Sequence, residues 1–145
     1  MVFTSQWSAL IHSADFGKIS CGIESGLGGL TELIESYDFG RIVVDGVVYT
    51  SDVIIMGKKV VADWWRNEGH VLHVSDLSHV LKEFLPEVTI IGTGYMGMMK
   101  VPKGTGEYFR DKGVELLIER TSKACDLFNV LPKTKRALAA LHLTC

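Results

Sequence analysis

Apolar residues recur at helical spacing near the start of the chain and at strand spacing beyond it. Side chains three or four positions apart share one face of a helix. Two groups follow this spacing: Trp7, Leu10, Ile11 and Ala14, then Leu30, Leu33, Ile34 and Tyr37. The glycine-rich stretch CGIESGLGG (residues 21–29) separates them. This pattern predicts two short helices and a link in an N-terminal extension, residues 1–36, before a single domain over residues 37–145. A partly disordered leader is an alternative that the pattern leaves open.

From residue 39 onward, short β-branched runs separated by turn residues predict antiparallel strands. Residues 41–44 and 47–50 flank Asp45-Gly46, a pair that tolerates positive φ and favours a type I′ hairpin turn. Residues 53–56 and 59–62 flank Gly57-Lys58 in a similar way. We therefore expect a meander of up to four strands, in which Asp52 and Lys58 face water.

Helices and strands alternate in the second half of the chain. Ser75 is the expected N-cap of a helix that Pro86 ends, with apolar residues at positions 77, 80, 81 and 84. The pattern predicts further helices over residues 107–112 and from Thr121 to about residue 131. Strands are expected over residues 88–91, 114–118 and 137–143, although the alanines and leucines of the last stretch also favour helix. Such alternation is typical of an α/β domain in which short crossovers build a parallel sheet.

Composition and charge exclude several classes of protein. The chain has 145 residues, 47% of them apolar and 22% charged, with a net charge of −2. This charge favours neither nucleic acid nor an anionic membrane, and the apolar runs are too short to span a bilayer. The acidic balance of residues 1–36 is the opposite of a mitochondrial presequence. Three cysteines without a C-x-x-C pair support neither a disulfide framework nor zinc, and suit a reducing, cytoplasmic location.

The strand over residues 88–91 ends in Gly92-Thr-Gly-Tyr-Met-Gly97, which matches the G-x-G-x-x-G pattern of dinucleotide-binding loops. Such a loop needs a helix that starts inside the motif and points its N-terminus at the pyrophosphate. Pro102, Gly104 and Gly106 interrupt the chain soon afterwards, which argues against a dinucleotide site. No cofactor is therefore predicted. A smaller anion bound by the backbone N–H groups of Gly92, Thr93 and Gly94 stays open.

Other residues could complete a site at this loop. Trp64-Trp65, with Arg66 and His70 close behind, could form a ligand-facing corner, or could cap the core. An Arg side chain suits carboxylate or phosphate, so we expect Arg66 or His70 to share a pocket with Gly92-Thr93-Gly94. The competing account is that Arg66 pairs with a surface acid such as Glu68. Weaker candidates for the site are Trp64, Lys100, His142 and Cys145.

The histidines show no metal-ligand spacing, so no metal site is predicted. No serine lies in a nucleophile elbow. Cys145 and His142 suggest a thiol–imidazole pair, but residues of opposite parity on a strand face opposite sides, which favours a structural role. No catalytic residue is predicted.

Several short motifs together resemble one small protein family: Asp63-Trp-Trp-Arg66 with Gly69-His70, Ile91-Gly-Thr-Gly94 running to Met99-Lys-Val-Pro102, Thr121 with Ala124 and Phe128-Asn129, and Ala140-Leu-His-Leu-Thr-Cys145. The resemblance covers residues 37–145. The family is founded on a methanogen protein of unknown function, and its members include the mammalian adipogenesis-associated protein and a mitochondrial assembly factor for respiratory complex I. The resemblance implies a three-layer α/β domain with a mixed, largely parallel central sheet plus an N-terminal β-hairpin or meander portion, and a strand at residues 137–143. It supplies no reaction.

Two functional hypotheses from different classes follow. The first is a non-enzymatic binding or assembly protein with a protein partner or a second copy of itself, since Trp64, Trp65, Met96, Met98 and Met99 cluster near loops and interfaces favour such residues. The second is a small-molecule or anion-binding protein, with catalysis left open, that uses Gly92-Thr93-Gly94.

Overall fold

The computed structural model describes residues 33–132 and 134–145. Its first three strands are β1 (Ile34–Asp38), β2 (Arg41–Val44) and β3 (Val47–Tyr49), and they form an antiparallel sheet in that order. Val44 pairs with Val47 across a two-residue turn, where Asp45 and Gly46 have φ values of 49° and 80°. This confirms the predicted hairpin, because among the two-residue hairpin turns type I′ is the one that places both residues at positive φ.

The prediction of a helix that includes Ile34 and Tyr37 is wrong, because these residues lie in β1. The backbone of Ile34 is held by Asn129, which accepts from its N–H at 3.0 Å and donates to its carbonyl at 2.8 Å. Ile34 is also buried in the core. Strand pairing and contacts with distant residues therefore override the local helical spacing. The rest of the predicted extension, residues 1–32, lies outside the described residues. It contains the first predicted helix and the start of the second one, at Leu30.

The central sheet has five strands in the order β5-β4-β8-β6-β7. They are β4 (Val53–Met56), β5 (Lys59–Val61), β6 (Val88–Gly92), β7 (Glu115–Glu119) and β8 (Ala137–Leu141). β6 is parallel to β7 and β8, whereas β4 is antiparallel to β5 and β8. The second hairpin and the final strand are confirmed.

The expected β-hairpin/meander portion is formed by β1, β2 and β3, but the predicted four strands do not make one meander, because β3 and β4 belong to different sheets. All four residues of β4, Val-Ile-Ile-Met, are buried. A strand that is apolar on both faces requires cover on both faces, which an interior position in the central sheet provides. In contrast, Val47 and Val48 of β3 are about half exposed.

Three helices and the small sheet cover the central sheet on both faces. A 3-10 turn (Val74–Leu77) leads into α1 (Ser78–Leu81), followed by α2 (Lys103–Asp111) and α3 (Thr121–Val130). Ile90 and Leu141 pack with α3 and the small sheet on one face, while Ile91 and Leu138 pack with α1 and α2 on the other. This arrangement confirms the three-layer α/β fold with a mixed sheet. Among the described residues, no helix is long and apolar enough to cross a membrane.

Two predicted helix starts need correction. The helix at Ser75 is only a 3-10 turn and a four-residue α1, and Asp76 rather than Ser75 holds its start by accepting the His73 N–H at 2.9 Å. Helix α2 begins at Lys103, earlier than predicted. Pro102 occupies its N-cap, where the missing N–H interrupts no intrahelical hydrogen bond. The predicted stop at Gly113 is confirmed by its φ of 73°.

Candidate functional site

The candidate site lies at the edge of the central sheet where the parallel strands end. Asp52 directly precedes β4 and His142 directly follows β8, and the register pairs Val53 with Leu141. The His142 N–H donates to the carbonyl of Gly92, at the end of β6, over 3.0 Å. Three strand ends therefore bring an aspartate, a histidine and the glycine loop together.

Asp52, Arg66 and His142 form a buried cluster. Asp52 Oδ2 lies 2.9 Å from Arg66 Nη1 and 2.8 Å from His142 Nδ1. Asp52 Oδ1 accepts the Leu143 N–H at 2.7 Å. The side chains of Arg66, Asp52 and His142 are only 5%, 13% and 6% exposed. The expectation that Asp52 faces water is therefore wrong, because its strand is interior to the sheet and not part of an open meander.

Trp64 and Gly69 hold the arginine in place. The Arg66 guanidinium lies over the Trp64 ring at 4.8 Å from its centroid, and Arg66 Nε donates to the Gly69 carbonyl at 2.8 Å. Trp64 is buried and its indole N–H donates to the Asp76 carbonyl at 3.0 Å, whereas Trp65 is 81% exposed. The pair thus divides into one core residue and one surface residue, and the arginine pairs with Asp52 and not with Glu68.

Opposing effects act on the acidity of Asp52. Burial favours the neutral carboxyl and would raise its pKa, but hydrogen bonds from His142, Leu143 and Arg66 and the charge interaction with His142 outweigh it and lower the pKa. Asp52 is therefore ionised at neutral pH and balances the charge of Arg66.

One ring nitrogen of His142 is left without a partner among the described residues. Nδ1 faces Asp52 and lies 3.1 Å from Arg66 Nη2, while Nε2 is buried and unpaired. The exposed ring of His70 packs against the His142 ring with centroids 5.6 Å apart and planes at 71°. The backbone of His142 is fixed on its other side, because Thr121 Oγ1 donates to its carbonyl at 2.6 Å.

The backbone N–H groups of the glycine loop have partners within the chain. Those of Thr93 and Gly94 donate to the Glu119 carbonyl and to Thr121 Oγ1, both at 2.8 Å. Further along the loop, the N–H groups of residues 95 and 98 donate to main-chain oxygens of Thr144 and Cys145 at 2.8 and 2.9 Å. An anion on this loop would have to displace these bonds.

The glycines allow the residues after β8 to approach the loop. We call His142–Cys145 the C-terminal segment. A Cβ on Gly94 would lie 2.3 Å from the Cys145 carbonyl carbon, and Gly94 has a φ of 110°. A Cβ on Gly92 would lie 2.8 Å from Thr121 Oγ1. The turn within G-x-G-x-x-G is thus explained by close packing of the chain on itself, and no helix starts inside the motif.

The structure brings together some of the predicted site residues. His142 contacts both Arg66 and the ring of His70, and the glycine loop lies at the same sheet edge. Lys100 is exposed, and its backbone N–H donates to the His70 carbonyl at 2.7 Å. Cys145 has an exposed side chain and contributes its main-chain oxygen to the loop.

Sequence reasoning missed two residues of this site. Asp52 was placed on the surface, although an acid directly before an all-apolar strand marks a sheet edge. Thr121 was expected only as the first residue of a helix, which it is, but its side chain is also fully buried at the site. Its hydroxyl bridges Gly94 and His142, a role that no local pattern indicates.

Solved structures show the same fold. An outer membrane protein from Bartonella henselae is 23% identical, with 79% of this chain and 96% of that protein covered and a TM-score of 0.65. A conserved hypothetical protein from Pyrococcus horikoshii is 26% identical, with 77% and 98% covered and a TM-score of 0.58.

The methanogen protein MT938 has the same fold and is 22% identical over 79% of this chain and 99% of its own length, with a TM-score of 0.64. Residues 34–142 match the family model described as protein of unknown function (DUF498/DUF598). The match begins at the first residue of β1 and ends at His142, so it spans both sheets and the cluster. This chain therefore belongs to the DUF498/DUF598 family of proteins of unknown function.

Proposed function

We propose that this domain is a non-enzymatic protein-binding module. The observation that carries the proposal is an exposed aromatic–methionine patch, defined here as Phe39, Tyr95, Met96 and Met98. Their side chains are between 45% and 60% exposed. Phe39 and Tyr95 stack edge to face with ring centroids 5.6 Å apart. Aromatic and methionine side chains are enriched in protein interfaces, and three of these four residues come from one short loop.

The alternative of an anion site on Gly92-Thr93-Gly94 has less support. The N–H groups of Thr93 and Gly94 are bonded within the chain, and Arg66 is already paired with Asp52. An anion would gain no free donor from these groups without breaking existing bonds, which costs the desolvation of each group left unpaired. The loop instead supports the patch, because it carries Tyr95, Met96 and Met98.

An assembly role extends the same proposal. The relationship to an assembly factor and to the mammalian protein rests on the sequence resemblance described above, and such a role requires a docking surface and no reaction. Cys125 and Cys145 are free thiols, which suits a cytoplasmic location. On this proposal the partner is a different protein. The experiment below distinguishes such a partner from a second copy of this chain.

Site-specific photo-crosslinking tests the proposal. A photoreactive phenylalanine analogue replaces Met96, and a control protein carries it at Leu85, which is 50% exposed near the opposite, amino edge of the parallel strands. We expect one defined cross-linked product from position 96 and none from position 85. An excess of wild-type protein without the photoreactive residue should compete for the partner and suppress this product. An equal excess of a Met96→Lys/Met98→Lys double variant should not suppress it.

Two results would contradict the proposal: equal cross-linking from both positions, or equal competition by the wild type and the double variant. The mass of the product distinguishes a second copy of this chain from a different protein. Sedimentation of the purified protein over a concentration series then checks the self-association result independently.

A further inference from the structure

His142 carries an unused hydrogen-bonding position. Nδ1 lies 2.8 Å from Asp52 Oδ2, and an ionised carboxylate can only accept. Nδ1 must therefore carry a proton, which it donates to Asp52. Because this nitrogen then has no free lone pair, it does not accept a hydrogen bond from Arg66 Nη2, although the two atoms are close. In the neutral ring the free lone pair then lies on Nε2, which is buried and has no partner among the described residues.

The position of this nitrogen is fixed. The His142 carbonyl accepts from Thr121 Oγ1 at 2.6 Å, and its N–H donates to the Gly92 carbonyl at 3.0 Å. The ring is held by Asp52, which is itself held by Arg66 and by the Leu143 N–H. A carboxylate that orients an imidazole through Nδ1 and leaves Nε2 free is the arrangement of a histidine general base.

We propose that His142 Nε2 is the binding point for a small neutral molecule with a hydroxyl group, and that the His70 side chain covers it. The hydroxyl donates to the Nε2 lone pair. A neutral ligand fits better than an anion, because the charges of Asp52 and Arg66 cancel and the neighbouring loop N–H groups are engaged. His70 is the exposed residue whose ring packs on His142, so its displacement is the shortest route of access.

The same geometry polarises the bound hydroxyl. Its proton points at the Nε2 lone pair, while Nδ1 keeps its own proton and donates it to Asp52. This proposal and the proposed protein-binding function rest on different side chains and different measurements, so failure of either leaves the other standing.

Chemical modification tests whether the His70 side chain covers Nε2 of His142. Diethyl pyrocarbonate acylates unprotonated imidazole nitrogens, and mass spectrometry of peptides reads each histidine separately. We expect His142 to react slowly in the wild type and roughly tenfold faster or more in His70→Ala, because modification tracks the accessible population. The matched control is His79→Ala, which removes an exposed histidine on α1. No acceleration in His70→Ala, or equal acceleration in both variants, would overturn the role of His70.

Nitrogen NMR tests the ligand. Long-range proton–nitrogen spectra of the full chain, recorded at a pH where the ring is neutral, should show His142 protonated at Nδ1 and not at Nε2. Titration with glycerol as a neutral hydroxyl probe should shift the Nε2 resonance in the wild type and more strongly in His70→Ala, whereas phosphate should not. Protonation of the neutral ring at Nε2, a shift with phosphate alone, or no shift with glycerol in His70→Ala would refute the proposed site.

Discussion

Asp52→Asn is the sharpest test of how the candidate site is held together. The substitution preserves the size of the side chain and its oxygen toward the Leu143 N–H. It removes the negative charge that faces Arg66 at 2.9 Å and His142 at 2.8 Å. The arginine is then left as a buried cation whose side chain is only 5% exposed.

The expected cost follows from this burial. Removing one partner of a buried ion pair costs about 3–5 kcal/mol, because the remaining charge has lost both its water and its counter-ion. We expect about 3 kcal/mol here, since the amide keeps one of the three hydrogen bonds. This is a large part of the roughly 5–15 kcal/mol that stabilises a typical domain. Arg66→Met in the same background should recover part of the loss, because it removes the unpaired charge.

Urea unfolding followed by circular dichroism measures these free energies. Lys59→Met is the matched control, since Lys59 and Glu83 form an ion pair at 3.4 Å whose side chains are 62% and 61% exposed. Such a surface pair contributes about 0–1 kcal/mol. Two results would contradict this account of the cluster. In the first, Asp52→Asn lowers the free energy of unfolding by no more than Lys59→Met does. In the second, Asp52→Asn/Arg66→Met is less stable than Asp52→Asn by the full cost of Arg66→Met alone.

Three further outcomes are expected. Because folding lowers the pKa of Asp52, its stabilising effect is complete at neutral pH and is lost as pH falls below about 4, so acid titration of urea unfolding should destabilise the wild type more than Asp52→Asn. Gly94→Ala should lower the free energy of unfolding by about 3 kcal/mol or more, since its Cβ would lie 2.3 Å from the Cys145 carbonyl carbon at a φ of 110°. The control is Gly104→Ala, whose Cβ would meet open space, so this variant should leave the protein equally or more stable in thermal melting. Burial raises the pKa of Cys125 to about 12, so iodoacetamide near pH 8 should alkylate Cys145 and spare Cys125 in the folded protein, as peptide mass spectrometry would read.

The parts of the fold that local chemistry determines were predictable from sequence. Asp45-Gly46 specifies a hairpin turn by its backbone preferences alone, and the flanking residues pair as expected. Strand β1 was missed because its formation depends on pairing with β2 and on Asn129, which bonds to Ile34 from 95 positions away. Two apolar residues three positions apart share one face of a helix. Ile34 and Tyr37 nevertheless pack against the same core from β1, whose register shifts between Ile34 and Ser36, and such an irregularity depends on the paired strand.

The site was predictable only in part for the same reason. The candidates Arg66 and His142 were chosen by residue type and by resemblance, and the structure brings them together. Asp52 joins them because β4 pairs with β8, which places it beside a residue 90 positions later. The glycines were recognised, but the C-terminal segment that packs on Gly94 was not expected there. The spacing of glycines indicates where backbone approaches closely and does not identify what approaches.

The buried cluster and the aromatic–methionine patch are connected through the C-terminal segment. Leu143 donates its N–H to Asp52 and accepts from the Tyr37 hydroxyl at 2.7 Å and the Gly40 N–H at 2.9 Å, next to Phe39. One residue later, the Thr144 carbonyl accepts the Tyr95 N–H at 2.8 Å. Both halves of the patch are thus fixed to a segment that Asp52 anchors. Ordering loops on binding costs free energy, and a surface that is already ordered avoids that cost. The charge cluster therefore has a physical reason to matter for binding on our proposal, although none of its side chains belongs to the patch.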